Sequence, residues 1–197
     1  MTARSEPFPV PCGVLRSYDA YAVAEDLGIG VGFEVLPDDM PSVLLRTPKV
    51  VLIQEALSES GRHDELTHQL MHMSRRPRFR ESPQATEDAV RRAAARRLVP
   101  LPALLRAVSA VIAEDEQAEA ERRDTASAAA AAQLLGVEPC ILRDRVLSLT
   151  PTECRMSTTL IGGLRWPRMP GHRYCVQLTH PPMSWLGRVR HVMHWPV

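Results

Sequence analysis

The pattern of apolar and polar positions divides the first part of the chain into one helix and three strands. Apolar residues between positions 15 and 27 recur at helical spacing, and Gly28 ends that run. Three short segments follow, at 31–37, 43–45 and 50–53, which either alternate or are continuously apolar. The pattern therefore predicts a helix followed by three strands of a small sheet.

Helical periodicity dominates the next hundred residues. Ser58 and Ser60 can cap a helix that runs through HDELTHQLMHM, and apolar residues recur at helical spacing in 87–98 and again in 101–112. A charged segment then leads to two helices around Gly136. The sequence predicts an α+β fold, with a three-stranded sheet in the first half and a mainly helical C-terminal half.

The composition changes sharply beyond Thr150. Residues 158–197 contain all three tryptophans, Trp166, Trp185 and Trp195, together with four of the seven histidines and several arginines. Aromatic and arginine side chains often form the binding hot spots of a protein interface, but tryptophans also anchor a segment to a core. We interpret this segment as an appendage and the three tryptophans as candidate partner-binding residues.

The overall charge and the cysteines narrow the class of protein. Lys and Arg number 24 against 23 Asp and Glu, so the chain lacks the basic excess of a typical nucleic-acid-binding domain. Its four cysteines form no C-x-x-C pair, and the N-terminus has no continuous apolar stretch of the kind that a secretory signal requires. We therefore expect reduced thiols and a cytoplasmic protein.

Two predicted helices carry side chains that could bind a metal ion. On the helix through HDELTHQLMHM, Asp64, His68 and His72 lie on one arc, and Glu65 lies at its edge. On the next helix, Glu87 begins a stripe that is otherwise apolar. Because a buried carboxylate needs a cation or hydrogen-bond donors, this arrangement predicts a metal held between the two helices.

The segment DELTHQLMH, followed by EDAVRRAAARRLVP from Glu87 onward, resembles the ImmA/IrrE metallopeptidases. The resemblance extends over residues 15–112 and includes the strand-rich lead-in VVLIQEALSESGR. It implies a zincin-like active-site helix with the motif H-E-L-x-H, in which two histidines and a downstream glutamate hold zinc while the motif glutamate is the general base. By position, the resemblance makes Glu65 the base and His68 and Glu87 zinc ligands.

The sequence departs from this motif at its first ligand, where Asp64 stands in place of histidine. Aspartate can bind zinc through oxygen, so Asp64, His68 and Glu87 form the expected ligand set. The pair His68 and His72 has the same four-residue spacing and is an alternative. In that register Gln69 occupies the position of the base, and the site could bind metal without hydrolysis.

These features predict four segments and one function. The segments are an N-terminal extension (1–14), a metallopeptidase-like core (15–112), a charged linker with a helical hairpin (113–157), and the appendage (158–197). We expect a zinc-dependent, endopeptidase-like regulatory protein, and the family resemblance implies a helix-turn-helix repressor as its protein substrate. The alternatives are a catalytically inactive interaction module and, less favoured because of its acidic residues, DNA binding through the hairpin.

Overall fold

The computed structural model describes residues 18–37, 39–75, 82–118, 127–161 and 176–178. One helix and three strands come first, six helices follow, and a short strand is the last element in the described ranges. In chain order they are α1 (Ala20–Asp26), β1 (Gly30–Glu34), β2 (Ser42–Leu45), β3 (Val50–Gln54), α2 (Glu59–Ser74), α3 (Pro83–Leu98), α4 (Leu101–Ala118), α5 (Ser127–Leu135), α6 (Pro139–Leu147), α7 (Pro151–Ile161) and β4 (Val176–Leu178).

The predicted α+β class is confirmed, and all three predicted strands are present. They lie in a sheet of order β1-β3-β2-β4, in which β3 pairs in parallel with β1 and antiparallel with β2. The fourth strand comes from the predicted appendage and pairs in parallel with β2. The sheet therefore joins the beginning of the chain to a segment close to its end.

Side chains alternate between the two faces of the sheet, as the period of two in a strand requires. Leu44, Val51 and Ile53 face α1 and α2 and form one core with Leu66 and Leu70 of α2. Residues on the opposite face form a second buried cluster, which contains Val43, Leu45, Val50 and Leu52 with Leu36. Because both faces of β2 and β3 are buried, these strands are nearly continuously apolar.

The helices after α2 form a separate hydrophobic core. Leu98, Leu104, Val108, Leu135 and Leu142 are among the buried residues that join α3, α4, α5 and α6. The helix α4 continues through position 112, where the sequence placed the boundary of the metallopeptidase-like core. None of the helices in the described ranges combines the length and apolarity that crossing a membrane requires.

Candidate metal centre

The helix α2 carries the histidines of the site and begins at a well-formed cap. The Ser58 side chain accepts a hydrogen bond from the Gly61 amide at 3.0 Å, which satisfies one of the amides left unpaired at a helix N-terminus. Leu66 and Leu70 bury one face of α2 against the sheet. That packing fixes the rotation of the helix, so that His68 and His72 face α3.

Glu87 reaches the same place from α3. Ser82 caps this helix by accepting from the Ala85 amide at 3.1 Å, and Pro83 occupies its first turn. Glu87 thus lies just over one turn into α3, which packs directly against α2. The two helix starts therefore fix the carboxylate opposite the imidazole rings.

Three side chains converge at this point with their ligand atoms almost in contact. His68 Nε2 lies 3.1 Å from Glu87 Oε1, and His72 Nε2 lies 3.0 Å from Glu87 Oε2. The two Nε2 atoms are 3.0 Å apart. Both histidines are buried, at 7% and 5% exposure, and Glu87 is partly buried. Within the described residues, this trio is the group whose geometry could hold a metal ion.

The Glu87 carboxylate supplies the negative charge of the trio. Burial alone would raise the pKa of Glu87, but hydrogen bonds and charge from His68 and His72 outweigh it and lower the pKa to about 2. The carboxylate is therefore ionised at neutral pH. For one metal ion to bind all three side chains, both Nε2 atoms must present lone pairs instead of N–H groups.

The spacing of these atoms fits zinc. Zinc binds imidazole nitrogen and carboxylate oxygen at about 2.0–2.1 Å, and for a tetrahedral site this places neighbouring ligand atoms about 3.3 Å apart. The two Nε2 atoms are 3.0 Å apart, and His68 and His72 lie 3.1 and 3.0 Å from different oxygens of Glu87, each within a few tenths of an ångström of that value. Three protein ligands would also leave a fourth position open to an external molecule.

Asp64, which the sequence placed in the ligand set, lies outside this trio. Its Oδ2 accepts a hydrogen bond of 2.8 Å from the Glu138 amide at the N-terminus of α6. The exposed amides and the dipole at a helix N-terminus attract a carboxylate, and this explains an aspartate at the position. The neighbouring His63 accepts from the Ala20 amide at the start of α1. His72 stands in the cluster where the prediction had Asp64.

Glu65, the predicted base, has its own partner on the sheet. Its Oε2 accepts a hydrogen bond of 2.7 Å from the hydroxyl of Ser42, the first residue of β2. The same hydroxyl accepts from Gln69 Nε2 at 2.8 Å. The structure thus links Glu65 and Gln69, one helical turn apart on α2, through a single buried serine.

The structure describes the predicted helical hairpin but not the three tryptophans. The helices α5 and α6 meet at Gly136, whose φ of +65° suits glycine at a helix end. In α6, Arg145 is buried and bonds to Val99 O and Glu153, so this arginine is engaged inside the protein. Trp166, Trp185 and Trp195 lie outside the described residues, and their role in partner binding stays a prediction.

The structure brings together two residues of the expected ligand set, His68 and Glu87, and adds His72, while Asp64 lies elsewhere. The signal for His72 was available, since His68 and His72 have the i, i+4 spacing of two helical metal ligands. Ser42 was missed because nothing in its local sequence indicates contact with α2.

Comparison of the chain with known proteins finds no matching family model, curated protein or solved structure. The ImmA/IrrE resemblance accordingly stays a prediction.

Proposed function

We propose that this chain is a zinc-binding, metallopeptidase-like regulatory protein whose zinc ligands are His68, His72 and Glu87. One observation supports this proposal above all: three buried or partly buried side chains of the right chemical types converge, with ligand atoms that all lie within 4.8 Å of one another. Two imidazoles and a carboxylate suit zinc, whereas magnesium and calcium prefer oxygen alone.

The chain's own residues would hold and orient the ion. His68 and His72 project from consecutive turns of one helix, and Glu87 presents both carboxylate oxygens from the neighbouring helix. Zinc bound there would supply a Lewis acid at its open position. A rigid α2–α3 pair sets the distance between the imidazoles and the carboxylate, so the site needs little rearrangement to bind the ion.

The regulatory role is proposed from the family resemblance, which points to a protein partner such as a helix-turn-helix repressor. Direct DNA binding through the hairpin is a weaker candidate. Asp144 and Arg145 of α6 both make buried ion pairs within the protein, with Arg91 and Glu153. A recognition helix would need such side chains at its exposed surface.

A competing function is zinc-dependent peptide hydrolysis with Glu65 as the base. The observation in its favour is the Ser42 hydroxyl, which holds the Glu65 carboxylate at a fixed place on α2. Glu65 precedes the first histidine of the trio, however, whereas a base in the H-E-x-x-H arrangement follows it directly. The trio therefore favours zinc binding over this hydrolytic mechanism.

Metal analysis of matched variants tests the proposed function. The full-length protein is stripped with a chelator, incubated with one equivalent of zinc, desalted, and analysed by inductively coupled plasma mass spectrometry. We expect about one zinc per chain in the wild type and a loss of most of it in His68→Ala and in His72→Ala.

Asp64→Asn is the control, because asparagine keeps an acceptor for the Glu138 amide but removes the anionic oxygen ligand. It should retain zinc. A wild type without zinc would refute the proposal. Zinc lost in Asp64→Asn but kept in His72→Ala would instead support the ligand set Asp64, His68 and Glu87.

A further inference from the structure

Gln69 directly follows His68 and lies fully buried between α2 and the sheet. Its side chain is 0% exposed, and its Nε2 donates to Ser42 Oγ at 2.8 Å. Ser42 is also 0% exposed and donates to Glu65 Oε2 at 2.7 Å. A buried amide, a buried hydroxyl and a partly buried carboxylate therefore form a continuous chain of hydrogen bonds, which starts from the residue that follows His68.

The donors and acceptors in this chain have a fixed direction. The Ser42 hydroxyl donates its hydrogen to the Glu65 carboxylate. The Ser42 oxygen is then free to accept, and the amide nitrogen of Gln69 donates to it. Ser42 thus accepts a hydrogen bond from the Gln69 amide and donates one to the Glu65 carboxylate. In this arrangement the Gln69 amide nitrogen must be the donor.

The place of Gln69 in the helix has a chemical consequence. In a helical H-x-x-x-H zinc site, the residue after the first histidine is the position from which a glutamate acts as general base. Amide hydrolysis adds the oxygen of water to the carbonyl carbon and breaks the C–N bond. A base takes one proton from that water and delivers it to the leaving nitrogen. A glutamine amide has no basic lone pair to take the proton.

We infer that the centre binds oxygen-donor ligands at the open zinc position without hydrolysing amides, and that Gln69 is the residue that separates binding from hydrolysis. This inference rests on the proposed zinc site. Gln69 then has a role beyond packing. A glutamate at position 69 could take the proton from water, whereas the glutamine amide cannot. The site would then act by holding a carbonyl or carboxylate group of a partner, which remains intact.

Two substitutions test the inference on the full-length, zinc-loaded protein. Gln69→Glu introduces the base but places two carboxylates on Ser42. The exchange Glu65→Gln with Gln69→Glu keeps one amide and one carboxylate around Ser42, so the hydrogen-bond chain can form in the opposite direction. The double variant therefore introduces a carboxylate at position 69 without placing two carboxylates on Ser42.

Two measurements are made on each protein. Isothermal titration calorimetry with acetohydroxamate reports ligand binding at the zinc. Mass spectrometry of a mixture of short peptides of randomised sequence reports amide cleavage. We expect the wild type to bind acetohydroxamate only when it is zinc-loaded and to leave the peptides intact. The double variant should cleave them about 10²–10⁴ times faster than the wild type, the usual contribution of a positioned base.

The outcomes distinguish this inference from the proposal on which it rests. A wild type that takes up no zinc refutes both. Peptide cleavage by the zinc-loaded wild type, abolished by Glu65→Gln, overturns the inference alone and makes Glu65 the base. A folded, zinc-loaded double variant that cleaves nothing shows that Gln69 does not separate binding from hydrolysis, and a zinc-loaded wild type that ignores acetohydroxamate shows that the position is closed.

Discussion

Replacing Asp144 with alanine is expected to destabilise the protein strongly, because this aspartate joins α6 to the helix that carries Glu87. Arg91 of α3 donates to Asp144 through two atoms, Nε and Nη2, each at 3.0 Å. The exposure of the two side chains is 18% for Arg91 and 10% for Asp144. The pair is thus a two-point, largely buried ion pair.

The magnitude follows from what remains after the substitution. Removing one partner of a fully buried ion pair typically costs about 3–5 kcal/mol, because an unpaired charge stays buried. Arg91 keeps some contact with solvent and lies 3.8 Å from the exposed Asp88, so part of that cost is recovered. We expect a loss of about 2–3 kcal/mol in the free energy of unfolding. For a chain of this length the melting temperature should fall by about 4–12 °C.

The assay is urea unfolding followed by circular dichroism, with calorimetry for the melting temperature, on the wild type and two variants. Asp88→Ala is the matched control, since it removes the other carboxylate beside Arg91 but from a surface position. A surface pair contributes at most about 1 kcal/mol, so this control should change little. Equal losses in the two variants, or a loss below about 1 kcal/mol in Asp144→Ala, would refute the reasoning from burial.

Two further predictions concern titratable groups elsewhere in the helical half. Hydrogen bonds from Arg145 and from the Thr150 amide lower the pKa of Glu153 to about 2, so the unfolded chain binds its proton at a higher pH than the folded one. This stabilising effect is complete above pH 4.5 and is lost as the pH falls toward 2. Glu153→Gln should therefore make unfolding stability less dependent on pH in that window, as measured by urea titrations; identical profiles would count against the ion pair. Burial raises the pKa of the Cys140 thiol to about 12, whereas Cys154 is exposed. Iodoacetamide at pH 8 should therefore label Cys154 well before Cys140 in the native protein, as measured by mass spectrometry of peptides. In denaturant the two cysteines should be labelled at similar rates, and similar rates in the native protein would contradict the prediction.

The sequence predicted the secondary structure of the first half because its signals there are local. The three strands are short apolar or alternating segments, and Ser58 marks the start of α2 as expected. The order of the strands had no such signal. The parallel pairing of β1 with β3, and the addition of β4, depend on contacts between distant segments.

In the candidate site, too, local sequence signals could be recognised, whereas contacts between distant segments could not. Glu87 could be predicted, because a carboxylate on an apolar helical stripe requires a cation or hydrogen-bond donors. The choice between Asp64 and His72 could not be made from α2 alone, since helical spacing puts both on the arc of His68. It depends on the N-terminus of α6, which engages Asp64 from 74 positions further along the chain.

The order of strands in the sheet also bears on how the chain folds as it is synthesised. Strand β2, which carries Ser42, has β3 on one side and β4 on the other. Val43 pairs with Val176, so one edge of β2 has no partner from β4 until the much later segment 176–178 has left the ribosome. Such long-range pairing slows folding and leaves an open strand edge prone to aggregation in the meantime. The proposed ligands His68, His72 and Glu87 emerge well before that, so zinc bound to them would stabilise the nascent α2–α3 pair while the sheet is still incomplete.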